Sequence, residues 1–198
     1  MVIANILGIF TFLYLLWRTL KDDYHYEKIF NLAATVLLGF VLGLAVSTYF
    51  DNYYWFWIEG FGILVAFLIV IKKQKMKFFE SFEGLTIGLV TWISFVFLGD
   101  SVTKSSLSSF LAFWVCLICI FIFFFIKSFY RGIIWYKSGR IGFAGLLTAI
   151  IFFLIRAAGS LFYTNTISFV GRTDTYLSGT VALFLFLLLY GLGKNNEK

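Results

Sequence analysis

Long apolar runs alternate with short polar breaks along the whole chain. The runs fall near residues 2–17, 29–50, 54–71, 84–99, 107–126, 141–162 and 176–193. A membrane-spanning helix takes about 20 mostly apolar residues, because roughly 30 Å of hydrocarbon is crossed at about 1.5 Å per residue. The pattern therefore predicts an all-α, polytopic integral membrane protein, with seven helices in a single transmembrane domain over residues 1–198. So many spans leave no room for a soluble catalytic domain. No charge precedes Arg18 in the first run, so it lacks the basic leader of a secretory signal. It is expected to stay as an anchor with the N-terminus outside.

Composition agrees: 61% of residues are hydrophobic and 13% charged, far from the roughly 25% charged of soluble domains. Charge adds direction. With seven spans, one side collects Arg18, Lys21 and Lys28; Lys72, Lys73, Lys75 and Lys77; Lys127, Arg131, Lys137 and Arg140; and Lys194 and Lys198. That makes thirteen basic residues, against only Lys104 and Arg172 opposite. Basic residues concentrate on the cytoplasmic side, so the C-terminus is assigned there. The net charge of +6 reports this orientation rather than a nucleic-acid partner. Tyr53, Tyr54, Trp55 and Trp57 cluster where an external headgroup boundary belongs. The stretch 128–139 mixes aromatic and basic residues and reads as an interfacial segment, with anionic headgroups as its candidate partner.

Few residues carry chemistry. Cys116 and Cys119 lie three apart inside an apolar run and read as small hydrophobes, since the single histidine, His25, is in a polar loop and no metal set forms. Gly39 and Gly43 are spaced for close helix packing in lipid, and Gly60 and Gly62 open the third span beside Glu59. With no proline in the chain, broken half-helices have no proline support. Ionisable groups at depth are costly and mark functional candidates. Arg156 is the deepest, followed by the small residues Ala157, Ala158, Gly159 and Ser160. A guanidinium grips phosphate through two parallel hydrogen bonds, while the structural alternative is a pair with a carboxylate or a side chain snorkelling to the external interface. Asp100 and Glu59, each near an external helix end, are the candidate partners. Glu80 and Glu83 are explained by the helix N-terminus they flank.

These features, in this order, resemble the bacterial prolipoprotein diacylglyceryl transferase family, over nearly the whole chain. Gly39 to Gly43 and the pair Tyr49-Phe50 are similar to its glycine-spaced second helix, and Glu59-Gly60-Phe61-Gly62 to the start of its third. Phe97-Leu98-Gly99-Asp100 resembles the end of its signature, Ser105-Ser106-Leu107 the start of its fifth helix, and Gly145 to Arg156 its penultimate helix. By the same register the signature arginine falls on Trp92 and the asparagine on Phe95, so Asp100 and Arg156 are the polar residues that remain.

The resemblance implies seven spans with the N-terminus outside, in the bacterial cytoplasmic membrane. It also implies transfer of diacylglycerol from phosphatidylglycerol to the cysteine of a prolipoprotein signal peptide. Asp100 and Arg156 are then the catalytic candidates, as base and phosphate clamp. Arg156, Glu59, Gly60, Gly62 and Ser105 are the substrate-binding candidates, and neither cofactor nor metal is called for. The rival reading is a family member without chemistry that binds phospholipid or acts as a scaffold. A small transporter comes third, because no span carries a polar stripe.

Overall fold

The computed structural model describes residues 2–49, 54–129, 142–163 and 168–195. Among them are seven helices and no strand: α1 (Val2–Leu20), α2 (Tyr26–Tyr49), α3 (Trp55–Gln74), α4 (Phe78–Lys104), α5 (Leu107–Phe129), α6 (Phe143–Phe162) and α7 (Arg172–Asn195). All seven are long and apolar enough to cross a membrane. The chain is thus an all-α protein of the multi-pass membrane type. Helices exceed the apolar runs chiefly where polar turns continue them. The α4 helix begins six residues before its run and α7 four before, because Phe78–Glu83 and Arg172–Thr175 already satisfy helical hydrogen bonds.

Helix α4 is the axis of the bundle, packing against α1, α5 and α6, and half of its span is buried. The remaining contacts are mainly hairpins, α2 with α3 and α6 with α7. Phe12, Leu16, Leu32, Val36, Phe67 and Trp92 form the core shared by the first four helices. Trp92, where the resemblance would put an arginine, is 4% exposed and packs between Phe12 and Phe40. Its ring occupies the space a Cβ would need on Gly8, so glycine there admits the indole.

The α2–α3 interface rests on small residues. A Cβ on Gly39 would lie 2.5 Å from the Gly62 carbonyl oxygen, and one on Gly43 2.7 Å from Glu59 Cα. The backbones touch because no side chain separates them. At the basic end of the bundle, the polar groups are paired. The Tyr24 hydroxyl donates to Glu80 Oε2 (2.7 Å) and accepts from the Lys77 backbone N–H (2.9 Å). Lys77 Nζ lies 3.0 Å from Glu80, and Lys127 Nζ of α5 lies 3.2 Å from Glu83 of α4. Glu80 and Glu83 are therefore cross-linking groups as well as helix-start acids. The interfacial segment expected beyond Phe129 lies outside the described residues.

Candidate functional site

At the opposite end, α3, α6 and α7 converge on Arg156. Arg156 is 4% exposed, a position that needs a counter-charge. Asp174, in the first turn of α7, supplies it with Oδ2 2.9 Å and Oδ1 3.0 Å from Arg156 Nη2. Helix α7 favours that carboxylate through the partial positive charge of its N-terminus. Gly171 has φ of +58° and its carbonyl accepts from the Asp174 N–H. Arg156 Nη1 donates to Ser168 Oγ (2.7 Å), and Nη2 also donates to the Ser168 carbonyl. From α3, the Trp57 indole N–H donates to Asp174 Oδ1 (2.6 Å). The Phe56 ring lies 3.7 Å from the guanidinium carbon, with Phe169 at 5.0 Å and Trp57 at 5.7 Å. Aromatic faces attract a cation most where water is absent. Ser160 and Thr175 add a hydroxyl contact of 2.7 Å between α6 and α7.

Beside this cluster is a crevice of about 220 Å³ between α5 and α6. Phe97, Ala112, Cys116 and Phe152 form deeper wall, and Leu111, Ile155, Ala158 and Phe162 stand on the exposed surface around it. It therefore opens sideways, toward the hydrocarbon of a surrounding bilayer. Arg156 is the one charged residue on its wall, and Arg156 Nε is a buried donor without a partner among the described residues.

The other sequence candidates lie elsewhere. Asp100 is 2% exposed and closes the α4–α5 turn, with Oδ1 3.0 Å from Lys104 Nζ and Oδ2 accepting from Ser109 Oγ (2.5 Å). Ser105 is the residue of that turn with φ of 52°, and its side chain is exposed. Glu59 is 6% exposed at the α2–α3 contact, with Ser47 beside it. Gly62 packs against Gly39, while Gly60 faces outward, with nothing within 4 Å of where a methyl group would sit. None of these five lines the crevice. The carboxylate paired with Arg156 is neither Asp100 nor Glu59, the two expected, but Asp174. Asp174 escaped the pattern because it precedes the apolar run by two residues, in what reads as a loop. The available clue was an acid within the first turn of a following helix. Trp57 reads as a belt residue, and its bond to Asp174 joins parts of the chain 117 residues apart. Cys116 and Cys119 are fully buried among Val90, Phe97 and Phe152, as small hydrophobes are. Comparison with protein-family models, curated proteins and solved structures finds no match for this chain.

Proposed function

We propose that this protein binds a phospholipid from within the bilayer, holding an acyl chain in the α5–α6 crevice and a lipid oxygen at the Arg156 Nε–H, without performing transfer chemistry. It belongs, on the resemblance, in the cytoplasmic membrane of a bacterium. The observation that carries the reading is the crevice itself. It is apolar, it opens to the side, and the one charged group on its wall has a buried donor left over. Its volume of about 220 Å³ is below the roughly 300–1,000 Å³ that encloses a whole small ligand, which suits part of a chain whose remainder stays in the membrane.

Two observations favour binding over transfer. Thiol attack on a glyceryl carbon needs a base beside the reacting atoms, yet Asp100 is held by Lys104 and Ser109 off the crevice wall. A leaving phosphate needs donors aimed at it, yet both N–H groups of Arg156 Nη2 and one of Nη1 are committed to Asp174 and Ser168. Photo-crosslinking of the full-length protein in vesicles, with phosphatidylglycerol carrying a diazirine on its acyl chain, tests the reading. Adducts should concentrate on 111–116 and 155–162 and fall several-fold in Ala158→Phe, which fills the mouth. Adducts spread evenly over all lipid-facing helices, unchanged in Ala158→Phe, would overturn it. Phosphatidylglycerol mixed with a lipobox peptide should give no diacylglyceryl peptide. Product that disappears in Asp100→Asn would restore the transferase reading.

A further inference from the structure

A second cavity, also of about 220 Å³, lies at the other end of the bundle and is lined by Leu15, Arg18 and Thr19 of α1, Asp22, and Phe124 and Lys127 of α5. Helices α1 and α5 both pack on α4, and the cavity is the gap left between them. Its chemistry changes with depth. Leu15 precedes Arg18 and Thr19 by about one helical turn, and Phe124 precedes Lys127 by about one turn, while both helices run toward the basic face. The floor is therefore apolar and the mouth cationic.

The two cations differ. Lys127 is shared with Glu83 of α4 (3.2 Å) and lies over the Phe123 ring. Among the described residues Arg18 has no carboxylate partner and donates only to the neutral Tyr14 hydroxyl at 3.3 Å, so most of its N–H donors have no partner there. Thr19 adds a hydroxyl that makes no hydrogen bond within the described residues, whereas Asp22, the one acid on the wall, is engaged in a contact of its own.

We infer that this cavity is a binding site for the phosphodiester headgroup of an anionic phospholipid of the cytoplasmic leaflet. Arg18 and Lys127 take the phosphate, Thr19 donates to one of its oxygens, and the tail runs along Leu15 and Phe124. Basic pockets between helices on the cytoplasmic side suit such headgroups, and the depth order of the walls matches a lipid seated in its leaflet. A soluble phosphate would have no use for the apolar floor. The site is separate from the α5–α6 crevice and does not rest on the function proposed for it.

Native mass spectrometry of the full-length protein released from phosphatidylcholine nanodiscs, doped with a minor fraction of phosphatidylglycerol, tests this. The Ala158→Phe background keeps the crevice out of the count. Phosphatidylglycerol should be retained over phosphatidylcholine. Arg18→Gln should weaken retention about tenfold, the worth of a hydrogen bond to a charged group, and Arg18→Lys should recover part of it. Lys28→Gln, an exposed charge on the same face, should match the parent, and millimolar inorganic phosphate should not displace the lipid. Unchanged retention in Arg18→Gln, or an equal loss in Lys28→Gln, would show diffuse surface attraction and overturn the site. Displacement by inorganic phosphate would overturn the lipid assignment in favour of a soluble anion.

Discussion

The guanidinium of Arg156 and the carboxylate of Asp174 are withdrawn from solvent together, at 2% and 0% side-chain exposure. Neither alone is tolerable there. Removing one partner leaves an uncompensated buried charge, which costs about 3–5 kcal/mol. Arg156→Ala and Asp174→Ala should each lower the thermal unfolding midpoint in detergent strongly. Arg156→Met with Asp174→Leu should lose clearly less than the sum, whereas equal, additive losses would refute the coupling. The Tyr24 phenol gives a second test. Burial first, and then donation to Glu80, raises its pKa from 10.0 to about 12. A raised folded-state pKa means that the neutral phenol is favoured on folding, so this stabilisation is complete below pH 10 and is lost as pH rises from about 10 to 12. The phenolate absorbance difference between wild type and Tyr24→Phe should be centred near pH 12, and a centre near 10 would refute the Glu80 bond. Arg156 was legible in the sequence because a lone cation in an apolar run is conspicuous. Asp174 was not, because a carboxylate in a polar connection looks solvated until folding brings it beneath a guanidinium.

At the level of helices, the two glycines that open α3 separate into different roles. Gly62 faces α2, where a methyl group would meet the Gly39 carbonyl at 2.5 Å, while Gly60 faces outward with open space around it. Gly62→Ala must push the hairpin apart, and overpacking of this kind costs about 1–3 kcal/mol. Gly60→Ala should be neutral or slightly stabilising, since alanine is favoured over glycine in a helix by about 1 kcal/mol. Thermal unfolding of the two single variants checks the contrast, and similar midpoints would contradict the packing. Periodicity located all seven helices because each apolar run is nearly the length of a bilayer crossing. It missed their polar ends, where hydrogen bonding continues the helix after hydropathy has stopped. It also cannot tell which of two neighbouring glycines faces a partner, because that depends on the rotation of α3 against α2, a tertiary property.

Across the whole molecule, the paired charges divide between the two ends of the bundle. Asp100 with Lys104 and Asp174 with Arg156 lie at one end, and Glu80 with Lys77 and Glu83 with Lys127 at the other. Each end also has its cavity, an apolar crevice beside Arg156 and a cationic gap beside Arg18. Which end meets the cytoplasm therefore decides which leaflet supplies each ligand, and the distribution of basic residues assigns it. Among the described residues nine lie on the side of the α3–α4 connection against two on the side of the α4–α5 turn, and such excess is retained on the cytoplasmic side. Single cysteines make this measurable, because Ser105 and Lys73 are exposed at opposite ends while Cys116 and Cys119 are fully buried and should stay silent. In intact cells a membrane-impermeant maleimide should label Ser105→Cys at once, and Lys73→Cys only after permeabilisation. The reverse order would invert the bundle, place the Arg18 cavity in the outer leaflet, and remove the leaflet argument on which its lipid assignment depends.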